Sequence, residues 1–266
     1  MLASGSPDTS SRCPRRKAIR RARPGPLGSA LATASGAAVL AAVLAAPSSA
    51  SAPLGARSGH GTLPAASSLV AEVRRAILAA RSVHLDLVER GPGANETIVG
   101  DAGLHSGRQE LRSGKAWVQI RLTPQDAYFR GDPSGLREAL GMPAADVRRA
   151  GTRWVAVGAG TSAYRTFKAN LLVSGLPAAF LPSSGNVTVS RATVLGKQAY
   201  RLSWSFTASG KRWQLRLDVA STGRRLPIEE SGTSGRDRQH ATFSNWGELV
   251  RVTVPHDTIP FAKVTG

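Results

Sequence analysis

Strict alternation of apolar and polar side chains between residues 200 and 219 constrains the fold of this chain more than any other feature. Apolar residues occupy every second position in two runs, and six residues that include Gly210 separate the runs. These positions are Tyr200, Leu202, Trp204 and Phe206 in the first run, and Trp213, Leu215, Leu217 and Val219 in the second. Such alternation is typical of antiparallel strands with one apolar and one solvated face, and the short polar connection predicts a hairpin.

The two-residue period returns elsewhere, and stretches of helical period lie between the predicted strands. Alternation marks residues 83–87 and 116–122, and further strands fit residues 186–195, 225–231, 238–245 and 249–254. Helical spacing is found at Leu69, Val73 and Ile77, and in residues 134–140, 144–150 and 162–180. Because an apolar sheet face must be covered, these patterns predict an α+β fold. It consists of a large, curved antiparallel sheet, or half-barrel, with a few helices covering its concave apolar face.

Residues 1–52 have the three parts of a secretory signal peptide. A basic segment precedes an uncharged stretch, which contains the apolar run 37–46 and ends in small residues. We therefore expect a signal peptide over residues 1–52, a flexible linker over 53–66 and a single domain over 67–266. The competing interpretation is an uncleaved membrane anchor, so the protein is expected to be secreted or held at the cell envelope. Cys13 precedes the apolar run, so it is not the lipid-modified cysteine of a bacterial lipoprotein.

The net charge of +18 arises from 35 basic and 17 acidic residues. Residues 1–52 hold part of it, and much of the rest lies in scattered arginine pairs at 74–75, 148–149 and 224–225. Charge of this sign attracts polyanions. Export argues against nucleic acid as the partner, so an anionic membrane surface or wall polymer fits the charge better.

No arrangement of residues typical of catalysis or metal binding is recognisable. The run 158–163 has GxGxxA spacing, but no acidic residue follows about 20 positions later, as a dinucleotide site requires. The five histidines are not paired at ligand spacing, and a single cysteine excludes an internal disulfide or a cysteine-based zinc site. Glu229 and Glu230 are adjacent, so a strand would point them to opposite faces, and we expect a solvated strand end there. The sequence predicts no enzyme, no cofactor and no metal site.

Five segments, in their order and spacing, resemble one known family. They are residues 151–157 (GTRWVAV), 194–202 (VLGKQAYRL), 220–227 (ASTGRRLP), 243–247 (FSNWG) and 252–255 (VTVP). Together they resemble the actinobacterial lipoprotein family that carries lipids across the cell envelope, which is similar in fold to the periplasmic lipoprotein carriers. The resemblance covers about residues 67–260. The chain departs from the family in having no lipobox cysteine, which puts tethering by acylation in doubt.

The resemblance implies a half-barrel closed by helices around a hydrophobic cavity that holds a lipid or another acyl-chain ligand, for carriage or sensing at the envelope. Burial of apolar surface binds acyl chains without specific polar contacts. The residues expected to line the cavity are Leu85, Val118, Ile120, Phe129, Trp154, Leu172, Leu202, Trp204, Leu215 and Leu217. Two alternatives stay open: a closed core, and an envelope sensor or interaction module of the same fold that binds a protein partner or an anionic wall polymer. We expect a monomer.

Overall fold

The computed structural model describes residues 62–92, 94–183, 185–208 and 210–266. The predicted signal peptide and most of the predicted linker lie outside these residues. Within the described part of the chain, no helix is both long enough and apolar enough to cross a membrane.

Twelve strands and six α-helices make up the regular structure of the described residues. The strands are Val83–Gly91 (β1), Ala94–Ala102 (β2), Gly107–Ser113 (β3), Ala116–Leu122 (β4), Asp126–Gly131 (β5), Trp154–Gly158 (β6), Thr188–Val194 (β7), Lys197–Ala208 (β8), Lys211–Ala220 (β9), Pro227–Ser234 (β10), Asp237–Ser244 (β11) and Thr258–Pro260 (β12). The helices are Ala66–Ala80 (α1), Pro133–Glu138 (α2), Ala144–Ala150 (α3), Ser162–Leu171 (α4), Leu176–Phe180 (α5) and Phe261–Thr265 (α6). A 3-10 turn, Val173–Gly175, joins α4 to α5.

All twelve strands form one open, curved sheet in the order β12-β6-β5-β4-β3-β2-β1-β11-β10-β9-β8-β7. Neighbouring strands pair antiparallel, except for the short parallel pair of β12 and β6. The hairpin expected from the alternation is β8–β9, in which Trp204 pairs with Leu215. The predicted fold class, an α+β half-barrel with helices on its apolar face, is confirmed.

The apolar face of the sheet packs against the helices in two clusters. The first cluster lies under α1 and α5 and includes Leu69, Val73, Phe180, Leu202 and Leu217, all almost fully buried. It forms because α1 presents its apolar residues at three- and four-residue spacing, which brings them to one side of the helix.

The second cluster lies against α2, α3, α4 and α6. It includes Val118, Ile120 and Phe129 of the sheet, with Leu136 and Phe167 from the helices. Three of these helices are short, because each contributes only one or two large side chains to the cluster, whereas the longer α4 contributes Tyr164, Phe167 and Leu171. The sheet therefore supplies the continuous surface, and the helices cover it in two separate groups.

The chain between β11 and β12 differs from the prediction. A strand was expected at residues 249–254, but this segment is not part of the sheet. It crosses the solvated side of the sheet near the start of β1, where Ser106 Oγ donates to the Val250 carbonyl and Arg121 donates to the Thr253 carbonyl. Its backbone is held by side chains instead of a partner strand, and pairing resumes only at β12.

Candidate ligand-binding site

The inner face of the sheet, defined here as the face that packs against the helices, is apolar along most of its central row. The strand register places these residues side by side: Val189, Leu202, Leu217, Glu230, Ala241, Leu87, Ile98, Leu111 and Val118. Such a row provides the kind of surface that an acyl chain covers favourably. Glu230 is the exception in the middle of it.

The structure places nine of the ten predicted lining residues in or against the two clusters. The first cluster contains Leu202, Trp204, Leu215 and Leu217, and the partly buried Leu85 packs against it. The second cluster contains Val118, Ile120, Phe129 and Leu172. Their assignment as ligand contacts stays a prediction.

Trp154 lies on the other face of the sheet. In β6, Val155 and Val157 point to the second cluster, so Trp154 points the opposite way. The guanidinium carbons of Arg121 and Arg130 each lie 4.7 Å from the centre of its ring. Its burial comes from these stacked arginines, a cation–π arrangement typical of a solvated face. Trp154 is therefore not placed to line a cavity between the sheet and the helices.

A small apolar cavity of about 30 Å³ lies within the second cluster. Phe129 of the sheet, Ala163 and Phe167 of α4, and Phe261 of α6 are among the residues around it. Ligand sites commonly measure about 300–1,000 Å³. The helices around this cavity would have to move outward to admit an acyl chain.

The cover of the inner face is incomplete over one half of β3. Leu111 is partly exposed and packs against both clusters, and Ser113, two residues further along the same face, is exposed. Near the other end of β3 the cover is tight, because Gly107 lies against the backbone of Leu171. The gap between the two groups of helices therefore opens toward the β1–β2 and β3–β4 turns.

Three glutamates lie on the inner face, and we call Glu89, Glu96 and Glu230 the inner acidic cluster; Glu230 lies on β10, four strands from β3. Glu89 pairs directly with Glu96 on the neighbouring strand and with Gln239 on the other side. Like charges directly opposite each other destabilise a sheet. None of the three carboxyl groups forms an ion pair of 4 Å or less with a lysine or arginine in the described part of the chain.

Glu230 is fully buried. Its Oε1 accepts a hydrogen bond of 2.8 Å from Gln239 Nε2. Its Oε2 has no partner, the one such case among the buried side-chain oxygen and nitrogen atoms of the described residues. The expectation of a solvated strand end at Glu229 and Glu230 was wrong for Glu230, because β10 continues past it and points it into the core.

Burial explains the protonation behaviour of the inner acidic cluster. It raises the pKa of Glu230 to about 8, against the effect of the Gln239 hydrogen bond. Burial also raises the pKa of Glu89 to about 7; Glu96 and Asp237 add to the rise, and Lys211 opposes it. The pKa of Glu96 is raised by burial as well. Near neutral pH the Glu230 carboxyl therefore keeps a proton that an ordinary glutamate would have lost, and the Glu89 carboxyl keeps one in part.

The solvated face carries a separate groove of about 450 Å³ across β1 to β4. His84 Nδ1 lies 2.7 Å from Asp101 Oδ1, and Arg108 Nε donates to Asp101 Oδ2 at 2.5 Å. Burial opposes ionisation of Asp101, but these two hydrogen bonds keep its pKa lowered. Arg121, also in the groove, has no carboxylate partner among the described ion pairs, and burial together with Arg130 and Arg108 lowers its pKa. The groove thus combines paired charges with a guanidinium that lacks an acidic partner.

The structure brings together no nucleophile, base and orienting group at hydrogen-bond distances in the residues it describes. His84 and Asp101 are paired, but the third side chain bonded to them is that of Arg108, which carries neither a hydroxyl nor a thiol. Within residues 62–266, apart from the three undescribed positions, no three His, Cys, Asp or Glu side chains are arranged to hold a metal ion.

No protein-family model and no curated protein sequence matches the chain. Among solved structures it is similar to LprF from Mycobacterium bovis, with 15% identity, a TM-score of 0.49, and coverage of 71% of this chain and 96% of LprF. It is also similar to the Mycobacterium tuberculosis lipoprotein LppX, with 15% identity, a TM-score of 0.44, and coverage of 70% and 99%. MucB in its complex with MucA shows 12% identity, a TM-score of 0.35, and coverage of 68% and 57%.

Proposed function

We propose that this protein is an exported, non-enzymatic binding protein that holds an acyl-chain ligand between the inner face of its sheet and its helices. The observation that supports this proposal best is the divided cover of an apolar face. Two groups of helices meet over β3, where Leu111 contacts both clusters and is still partly exposed. A long apolar chain that enters there gains contacts on both sides while the sheet stays intact.

The helix layer is suited to yield without unfolding the sheet. Apart from α1 and α4, the covering helices have five to seven residues, and helices of this length depend on packing for their stability. Elements with few buried contacts open at a lower free-energy cost than a sheet core. The cavity beside Phe129 and Phe167 is a place in the second cluster where an entering chain finds unfilled space.

A steric test uses α4, which borders this cavity. Ala163→Phe would fill the space, whereas Ala169→Phe adds the same group at an exposed position of the same helix. Native mass spectrometry of each purified variant with added long-chain amphiphile should show ligand on the wild type and on Ala169→Phe, and little on Ala163→Phe. If the two variants bind equal amounts of ligand, the ligand does not occupy this cavity. If the wild type binds no ligand, the proposed function is refuted.

A second candidate function rests on the groove of the solvated face. Arg121 and Arg130 stack on Trp154, and Arg121 lacks an acidic partner. An anionic polymer of the cell wall would supply the missing negative charge. Binding of a phosphate-rich polymer that falls with added salt and is lost in Arg121→Gln would support this function, because exposed charge pairs are screened by salt. Binding that changes neither with added salt nor in Arg121→Gln would count against this second function.

A further inference from the structure

The chain between β11 and β12 carries large apolar side chains that the described structure leaves exposed. Residues 248–257 of this segment, which we call the strap, cross one end of the sheet from β1 to β6. In the strap, Leu249 is 77% exposed and Val254 is 51% exposed. Single exposed apolar residues are common on protein surfaces, whereas several of them together mark an interaction site.

The turn between β2 and β3 adds a third exposed apolar side chain to the strap. Leu104, in this turn, is 37% exposed. The turn and the strap are in contact, because Val250 packs on Gly103 and the Val250 carbonyl accepts a hydrogen bond of 3.2 Å from Ser106 Oγ. We call the strap and residues 103–106 together the apolar rim. It holds three of the seven large apolar side chains that are exposed among the described residues, namely Leu104, Leu249 and Val254.

Two guanidinium groups without an acidic partner lie beside the apolar rim. Arg121 donates a hydrogen bond of 2.9 Å to the carbonyl of Thr253 in the strap. Arg130 lies near Arg121, since both guanidinium carbons are 4.7 Å from the centre of the Trp154 ring. Neither arginine forms an ion pair of 4 Å or less with a carboxylate among the described residues. Each therefore adds a positive charge that no carboxylate neutralises by direct contact.

The other charged groups of this region largely balance one another. In the groove of the solvated face, Arg108 and Arg112 are each paired with a carboxylate. The strap itself contains one arginine and two acidic residues. Attraction of an anion to this region therefore depends on Arg121 and Arg130.

We infer that the apolar rim docks on an anionic phospholipid bilayer, with its leucine and valine side chains among the upper acyl chains and with Arg121 and Arg130 at the lipid phosphates. Exposed apolar side chains beside basic ones are typical of surfaces that lie in the membrane interface. Guanidinium groups bind phosphate oxygens in bidentate geometry. A wall polymer, the ligand of the second candidate function, would use the same arginines but offers no apolar phase for Leu249 and Val254. A bilayer accounts for both features.

Docking at the apolar rim leaves the proposed acyl site free. The rim lies at the end of the sheet that carries the β2–β3 turn. The gap over β3 opens at the other end, toward the β1–β2 and β3–β4 turns. Membrane docking therefore does not depend on the proposed function, and a variant that abolishes docking should bind an acyl ligand as the wild type does.

A fluorescent label at each end of β2 shows which end of the sheet touches a bilayer. With Cys13 replaced by serine, His105→Cys in the rim and Asn95→Cys at the opposite end of β2 are labelled with bimane, whose emission shifts to shorter wavelength in apolar surroundings. Both positions are exposed. Vesicles of phosphatidylcholine and phosphatidylglycerol should shift the emission of the His105→Cys label and not that of the Asn95→Cys label. Phosphatidylcholine alone should produce a much smaller shift, because it lacks net negative charge.

Variants of the labelled His105→Cys protein separate the apolar contribution from the charged one. Leu249→Ser combined with Val254→Ser removes apolar contacts, and Arg121→Gln combined with Arg130→Gln removes the two unpaired charges. Each pair should raise the vesicle concentration that gives half of the maximal shift by about tenfold or more.

The matched controls remove exposed residues of the same kinds elsewhere on the surface. Leu78→Ser combined with Leu195→Ser controls for the apolar pair, and Arg216→Gln combined with Arg236→Gln controls for the charged pair. Each control should change the half-maximal vesicle concentration by less than about twofold, because exposed charges outside the contact are screened.

Equal shifts at the two ends of β2, no shift of the His105→Cys label, or equal losses in the test and control variants would overturn the inference. Arginine-dependent binding of soluble polyphosphate without a shift on vesicles would also overturn it and would leave the second candidate function standing. The combined Leu249→Ser and Val254→Ser variant should bind dodecanol as the wild type does. If the wild type binds no dodecanol but its rim label shifts on vesicles, the proposed function fails and membrane docking stands.

Discussion

The burial of Glu230 makes the free energy of unfolding of this protein depend on pH. The carboxyl has a pKa of about 8 in the folded protein, compared with 4.5 for an ordinary glutamate. Between these two values the folded state binds more protons than the unfolded state, so stability must fall as the pH rises. The contribution of the protonated carboxyl is fully present below about pH 4.5 and is lost as the pH passes about 8.

The replacement Glu230→Gln removes this titration and keeps the size of the side chain. A pKa change of one unit corresponds to about 1.4 kcal/mol, so a rise of roughly 3.5 pH units is equivalent to about 5 kcal/mol at most. Most of that range lies between pH 5 and 9. The free energy of unfolding of Glu230→Gln, minus that of the wild type, should therefore increase by up to about 4 kcal/mol between about pH 5 and about pH 9.

Urea unfolding of ligand-free protein, followed by tryptophan fluorescence at several pH values, measures this difference. The comparison of variants cancels the titration of Glu89, whose pKa of about 7 is also raised by burial. Glu229→Gln is the matched control, because Glu229 is the preceding residue of β10 and points to the solvated side. A difference between Glu230→Gln and wild type that stays constant from pH 5 to 9 would refute the account of Glu230 as a buried, protonated acid.

Two further predictions concern the framework that positions the site. Asp218→Asn should lower the free energy of unfolding by about 2 kcal/mol in urea titrations, because Arg201 loses the carboxylate that accepts two of its hydrogen bonds. An unchanged midpoint of urea unfolding would contradict this prediction. Gly107→Ala should lower the free energy of unfolding by about 1–3 kcal/mol, since a Cβ at Gly107 would overlap the Leu171 carbonyl oxygen. Gly160→Ala should cost less, because a Cβ at Gly160 has nothing within 4 Å and the backbone there is not left-handed.

The strands that the sequence predicts best are those whose inner positions are uniformly apolar. Strands β4, β8 and β9 have this pattern, and each forms where the alternation predicts it. Strands β2 and β3 lack it, because Glu96, Gly100, Gly107 and Gln109 occupy inner positions. A glycine or a buried polar residue removes the contrast between faces on which the two-residue period depends.

The same reason explains what the sequence could not reveal about the site. The apolar residues of the inner face follow from the two-residue period of the strands. Nine of the ten residues predicted to line the cavity lie in or against the core. Trp154 was misplaced because an aromatic residue at a strand start can face either side, and the arginines that cover it come from β4 and β5. Glu230 could not be recognised from a run such as Glu229-Glu230, since only the register with β9 and β11 decides which of the two is buried.

The central claim, that an acyl ligand lies against the inner face at the gap over β3, can be tested with two adjacent residues of that strand. Leu111 points to the inner face, and Arg112 points to solvent. With Cys13 replaced by serine, Leu111→Cys and Arg112→Cys each provide one thiol, and the rate of its alkylation is measured with and without dodecanol. Bound ligand should slow alkylation of Leu111→Cys about tenfold or more and leave the alkylation rate of Arg112→Cys unchanged. Equal rates at Leu111→Cys with and without bound ligand, or equal slowing at both positions, would contradict it.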